Sequence, residues 1–431
     1  MRVRLPSRLN PARALSHDAR QIVLAQGLIS LGYMGVSMLL RGLFILRLGY
    51  GTVYLGTYYA TGALVFMAMG VPSGTLGQRW GTRKAMLAGG WLVCTGLLLL
   101  SATLYVPDPL RSLWPPLTQV VTVVGWSMFS VNCVPALMLV TSDQDRSSAY
   151  SLAGVFRGVG TLVGTLVGGV LPIVSAGLVG AVSRTQVDPQ SAPPYAWGLL
   201  IGAALGLAAL VPLTRVRGGL RPAKRDGSGP KRGAFPTALV AGLVGYVFLR
   251  HLGWATSQAY SGPYMDTDLR LPTPTIGLLT SIGQVAAIGA TLVLPRLADR
   301  WGHGRVLLAA TITQIASLAL LASFPHWATV GLGLLGIQVS AAVWLPELQV
   351  FQMELVEEGW RGPAYGAMAM AMGSGFAVTS YLGGQLIAAR GYDTVFALGA
   401  AVTVAATVLM AAFIRRAPGQ NAESVPQQAR S

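Results

Sequence analysis

The sequence predicts an all-α membrane protein of twelve transmembrane helices in two pseudo-symmetric six-helix bundles. Three observations predict it. The 431 residues are 53% apolar and only 11% charged, against about 25% charged in soluble domains. Apolar runs of roughly 20 residues, long enough to cross a bilayer as a helix, recur from end to end. Landmarks of the first half also return in the second at shifts of 221 and 215 residues.

The elements follow in order. Residues 1–20 carry Arg2, Arg4, Arg8, Arg13 and Arg20 with no apolar core or small-residue cleavage pattern, and read as a cytoplasmic tail, not a removable signal. Apolar runs at 21–46, 52–75, 85–106, 116–140, 148–176 and 194–214 make the first bundle, 21–214. The stretch 215–235 is rich in Gly, Pro, Lys and Arg, cannot pack a core, and reads as a cytoplasmic basic linker. Runs at 236–261, 275–297, 305–324, 327–351, 363–389 and 392–414 make the second bundle, 236–414, and 415–431 is a second cytoplasmic tail. None of the runs alternates with period 2 as a membrane barrel strand does.

The net charge of +16 raises the question of nucleic acid, and its distribution answers it. With the N-terminus inside, the inner loops and tails, counted with Arg296 at the inner end of its run, hold 23 of the 31 Lys and Arg. The outer loops hold Arg47, Arg111, Arg184, Arg270 and Arg390, and Arg41, Arg157 and Arg250 fall inside spans. This positive-inside bias predicts both termini in the cytoplasm and a bilayer, not nucleic acid, as partner. Cys94 and Cys133 both lie in apolar runs, so no disulfide framework or metal site is expected. Arginine outnumbers lysine 28 to 3, which hints at a bacterial source and so at a cell (inner or plasma) membrane.

The internal repeat relates the halves at independent points. LGQRWGTRK, Leu76 to Lys84, returns as LADRWGHGR, Leu297 to Arg305, at a shift of 221. R-x-x-A-Y at Arg146, followed by Gly168-Gly169, returns at Arg361 with Gly383-Gly384 at a shift of 215. Gly158 and Gly160 fall on Gly373 and Gly375. Together these features resemble the major facilitator superfamily, whose loop between the second and third helices follows G-x-L-a-D-r-x-G-r-k. Here Gly74, Leu76, Arg79, Gly81, Arg83 and Lys84 fit one copy, with Gln78 in place of the acid, and Asp299, Arg300 and Gly302 fit the other. The resemblance implies that Asp299 and the loop arginines act as a conformational latch. Gly160, Gly164 and Gly168 share one helix face, which reads as close helix packing. They also resemble the family's antiporter motif, with Thr165 in place of its proline, which points toward export.

Ionisable groups inside a span are costly and mark candidate sites. Arg157 and Arg250 lie near the expected midplane, one in each half, where they either bind an anionic or zwitterionic solute or tie helices together. His251, Trp254 and Gln258 neighbour Arg250, and Arg250, Trp254 and Gln258 share its helix face. Arg41 is expected to snorkel outward as an anchor, with Arg47. Among acids Glu347 lies clearly inside a span, either as a proton-coupling group or tied to a basic loop residue, and His251 is the second proton-coupling candidate. Asn132, Tyr33, Gln338 and Trp344 read as cavity residues or helix contacts.

No nucleotide loop, catalytic triad or metal spacing is present, so no cofactor and no enzyme activity are expected. The resemblance implies a monomeric secondary active transporter for a small solute, working by alternating access and coupled to protons. Two other readings remain open: an organic-anion uptake carrier, and a non-transporting sensor or scaffold with the same fold.

Overall fold

The computed structural model describes residues 15–142, 145–183, 186–217, 237–356 and 360–416. Most of the expected tail 1–20, linker 215–235 and tail 415–431 therefore lies outside the described residues. Among the described residues the long elements are twelve helices. The first half holds α1 (His17–Arg47), α2 (Thr52–Trp80), α3 (Thr82–Tyr105), α4 (Trp114–Val140), α5 (Arg146–Ser183) and α6 (Ala192–Thr214). The second holds α7 (Thr237–Thr267), α8 (Thr273–Trp301), α9 (His303–Ser323), α10 (Trp327–Leu355), α11 (Arg361–Arg390) and α12 (Tyr392–Arg416).

Eleven of them are long and apolar enough to cross a membrane, which makes this a multi-pass membrane protein. The twelfth, α11, has 30 residues, but glycine, serine and threonine dilute its apolarity. Its packing explains this, because α11 lies against α2 on one side and α7 on the other and has less surface to show to lipid.

Successive helices run in opposite directions. Ser16, at the start of α1, donates to the Val140 carbonyl at the end of α4, and Arg83, at the start of α3, donates to the Leu213 and Thr214 carbonyls at the end of α6. These ends share one face, here called the terminal side; the opposite face is the far side. The junctions α2–α3 and α8–α9 turn on Gly81 (φ +89°) and Gly302 (φ +79°), backbone angles that only glycine adopts without strain, so the 221-residue repeat is written in conformation as well as sequence.

Helix α1 widens to a π-helical stretch over Ser30–Ser37, where the Ser37 hydroxyl donates five residues back to the Gly32 carbonyl. Gly32 meets α6 at Gly202 and Gly206, and Gly35 meets α5 at Gly164. The core is divided unequally. On the far side one apolar cluster runs across both halves, from Leu40, Phe44 and Leu55 to Tyr260, Ile276 and Phe396. The large clusters nearer the terminal side each belong to a single half, one from Leu15 to Val216 and the other from Leu243 to Met410.

Candidate functional site: the space between the halves

Two equivalent helix contacts close the far side. In one, Gly56 of α2 sits on the Ser380 carbonyl and within 3.3 Å of the Gly384 Cα of α11, measured from where a β-carbon would stand, and Thr52 donates to the Gly384 carbonyl at 3.1 Å. In the other, Gly277 of α8 sits 3.0 Å from both the Thr165 carbonyl and the Gly169 Cα of α5, with Thr273 beside Gly169. Thr52 and Gly56 map onto Thr273 and Gly277 at the 221-residue shift, and Thr165 and Gly169 onto Ser380 and Gly384 at 215. The sequence carries this signal as T-x-x-x-G at the start of α2 and α8. Two residues four apart are too short a pattern to stand out beside the nine-residue repeat at the other end of the same helices.

An ion pair reinforces the closure. Arg47 of α1 grips Asp266 of α7 with both terminal nitrogens, at 2.7 and 2.5 Å, and also donates to Gln190. The Asp266 side chain is only 2% exposed. The guanidinium lies 5.4 Å from the Tyr195 ring, whose hydroxyl pairs with Thr273 Oγ1 at 2.6 Å. Span seven was expected to end near 261, but α7 runs to Thr267, and that extra turn brings Asp266 inside.

Toward the terminal side the halves part. Along α5, again measured from a β-carbon position, the neighbour in α8 is 3.2 Å away at Gly169 and 3.7 Å at Gly158, and nothing stands within 4 Å of Gly154. Along α11 the sequence repeats: Gly384 presses on Thr52, Gly373 is 3.5 Å from Met67 of α2, and Gly366 meets nothing within 4 Å. The inter-half space is a wedge, closed on the far side and open on the terminal side.

Arg157 is exposed, and helix geometry tells where. Val155, Val159, Val163 and Leu166 form the exposed apolar stripe of α5 that suits lipid, while Gly160, Gly164 and Gly168 face α1 and Gly158 and Gly169 face α8. At 100° per residue Arg157 points between the α1 and α8 directions, into the wedge. Above it Tyr33 packs on half-buried Trp126 with ring centroids 5.0 Å apart. Arg41 is not the expected outer anchor. It is 5% exposed, its guanidinium 5.7 and 5.6 Å from the Tyr33 and Tyr59 rings.

In the second half, Arg250 is 1% exposed and ties three helices together. Its Nη2 donates to Ser340 of α10 at 2.8 Å, its Cζ lies 4.0 Å from the Trp344 ring centroid, and its carbonyl accepts from Gln314 of α9 at 3.0 Å. Trp344 donates in turn to the Tyr246 hydroxyl at 2.8 Å. His251 packs on Trp254 with tilted rings 4.6 Å apart, and His251 Nδ1 and Trp254 Nε1 are buried without a hydrogen-bond partner among the described residues. Gln258 is half-buried two turns on.

The other candidates separate. Asn132 is 2% exposed and spends its amide on the Ser73 and Met128 carbonyls, both at 2.9 Å, which places it in the α2–α4 contact, away from the wedge. Gln338 packs against Gly283 of α8. Glu347 is buried and bonded to His303 Nδ1 at 2.6 Å, a partner from the repeated loop that reaches the surface. Arg79, Asp299 and Arg300 are exposed, and among the described residues no ion pair engages Asp299. Gly160 and Gly164 rest on the Gly27 and Leu31 carbonyls of α1, and Gly168 stands 3.1 Å from the Val36 Cα.

Known proteins align with this geometry. The family model described as Major Facilitator Superfamily matches residues 243–430. A stretch of 147 residues is 24% identical to multidrug resistance protein MdtH of Proteus mirabilis (strain HI4320), covering 34% of this chain and 35% of that protein. The match thus spans about a third of that curated relative. In fold, the chain is similar to a mutant of the nucleoside transporter NupG, with a TM-score of 0.72 and 16% identity over 92% of this chain and 99% of that one. It is also similar to a D-xylose-proton symporter, with a TM-score of 0.69 and 16% identity over 91% and 96%. The family model covers the second half, the repeat carries its landmarks into the first, and the shared fold spans both. The chain thus matches the Major Facilitator Superfamily model over its second half and shares the fold of the transporters above over both halves.

Proposed function

We propose that the protein is a secondary transporter that moves a small solute across a membrane by alternating access, held here with the wedge open on the terminal side. One observation carries the reading: a single apolar core joins the halves on the far side, while the cores nearer the terminal side are separate. Two bundles pressed together most closely at one end by small, pseudo-symmetric contacts can rock about a central site. The positive-inside bias makes the terminal side cytoplasmic, so this is the inward-open state. Exposed Asp299 then belongs to a latch that engages when the cytoplasmic side closes. Arg157, Arg250, His251, Trp254 and Gln258 are the proposed solute contacts, and Glu347 with His303 the proposed proton-exchange pair. The D-xylose-proton symporter supports proton coupling, and the glycine stripe of α5 supports export.

The experiment needs no known substrate. In a Cys94→Ala, Cys133→Ala background, Thr161→Cys sits on the wedge face of α5. A membrane-impermeant maleimide should label it in both inside-out and right-side-out vesicles. Labelling from one face only, under all ionic conditions, refutes alternating access and favours the sensor or scaffold reading. Solute flux that ignores an imposed pH gradient in both directions removes proton coupling.

A further inference from the structure

We infer that Arg41, with Tyr33, Tyr59 and Trp126, forms the recognition site for an organic carboxylate with a planar aromatic body, a substrate class for the transporter proposed above. The inference rests on that transport reading. Arg41 lies in α1, 5% exposed, yet its hydrogen bonding is incomplete. Nη1 reaches the Tyr33 hydroxyl only at 3.4 Å, Nη2 meets the Met38 sulfur, and Nε has no partner although it is buried. The two tyrosine rings offer quadrupole attraction but no countercharge.

Among the described residues no ion pair engages it. The first half has no Asp or Glu inside spans one to six; Asp18 stands at the start of α1 and Asp108 in a far-side connection. In the second half Asp266 is gripped by Arg47 and Glu347 by His303. Arg250, the other buried guanidinium, differs in kind, with a hydroxyl at 2.8 Å and an indole face at 4.0 Å. Arg41 is left with a desolvated charge and a buried Nε that makes no hydrogen bond among the described residues, the state in which a carboxylate gains most from a planar fork.

Its position suits a ligand that enters from the terminal side. Tyr59 lies one helical turn inward of Gly56, the residue that closes against Ser380 and Tyr260, so Arg41 and Tyr59 sit directly beneath the far-side closure. Below them half-buried Trp126, backed by buried Tyr33, makes an aromatic ledge, and lower still Arg157 is exposed to the wedge. An incoming anion meets Arg157 first, lays its ring on the ledge, and reaches Arg41 at the closed end. The aromatic ledge favours a planar body over a flexible chain.

The test uses the purified full-length protein, with 1-naphthoate as probe and 1-naphthamide as its uncharged isostere. Naphthoate should raise the thermal unfolding midpoint saturably and the amide should not. Arg41→Gln should weaken naphthoate binding by at least about tenfold, whereas Arg111→Gln in the far-side surface should leave it unchanged. If Arg41→Gln does not fold, Arg41→Lys and Trp126→Leu serve instead, each expected to weaken binding by about tenfold or more through loss of the planar fork or the ledge. Equal stabilisation by the amide, no stabilisation by naphthoate, or wild-type affinity in a folded Arg41 variant overturns the inference. Naphthoate binding with labelling of Thr161→Cys from one face only would refute the transport reading and leave the site standing; two-sided labelling without naphthoate binding overturns the site alone.

Discussion

At the scale of single residues, the charged groups divide by what they touch. Arg83 donates to the Leu213 and Thr214 carbonyls at 2.9 and 2.6 Å, the last acceptors of α6, which no further turn of helix can satisfy. A cation at a helix C-terminus also opposes the negative end of the dipole, so Arg83→Ala should cost about 1 kcal/mol and lower the thermal midpoint slightly. Arg83→Lys should recover part of that loss. A variant with unchanged midpoint but lost transport would show that the loop arginine acts as a latch and not as a cap. Sequence made the presence of such residues legible, because any charge inside an apolar run stands out. It did not make their direction legible: counting 1.5 Å per residue gives depth along an axis but not the side a residue faces. That is why Arg41, expected to snorkel outward, instead lies among tyrosines, and why Asn132 stays open between cavity and helix contact until its amide is seen on Ser73 of α2. Glu347 was conspicuous in its span, but His303, its partner 44 residues earlier, gained meaning only from the fold.

At the scale of elements, two kinds of glycine contact do different work. The seam between α1 and α5 lies within one half, where Gly35 and Gly164 approach so closely that a side chain at Gly35 would stand 2.5 Å from the Gly164 Cα. Gly164→Leu should therefore act as overpacking inside a rigid bundle and destabilise the protein by about 1–3 kcal/mol, read as a lower unfolding midpoint. Gly56 and Gly277 lie between halves that can separate. Gly56→Leu and Gly277→Leu should instead hold the far side open, raising outer-face labelling of Thr161→Cys with a much smaller change in midpoint. The pseudo-symmetry requires the two variants to behave alike, and opposite responses would remove the equivalence of the two contacts. The spans, the hinge glycines Gly81 and Gly302, and the glycine stripe of α5 were all readable, since each depends on local composition or spacing. The T-x-x-x-G pairs were equally local but are too short to stand out until the structure shows what they meet.

At the scale of the whole molecule, the far-side closure combines apolar packing with one ion pair whose partners belong to different halves. Asp266 is 2% exposed at its side chain and Arg47 19%, so the pair is largely out of water. A buried pair adds little net stability compared with an apolar contact, yet breaking it leaves an unpaired charge and costs about 3–5 kcal/mol. That asymmetry makes the pair a gate and not a brace. In the closed far side Arg47 and Asp266 satisfy each other; when the halves part, water must solvate both, and the balance between states rests on the difference. Removing one partner penalises only the closed state, because in the open state the survivor is hydrated. Arg47→Gln and Asp266→Asn should each increase outer-face labelling of Thr161→Cys and decrease inner-face labelling. The reversed double variant, Arg47→Asp with Asp266→Arg, should return both rates toward wild type if the two side chains act on each other and not through Gln190 or Tyr195. Unchanged labelling in both single variants would mean that the apolar core across the halves, from Leu40 and Phe44 to Tyr260 and Phe396, sets the equilibrium without the ion pair.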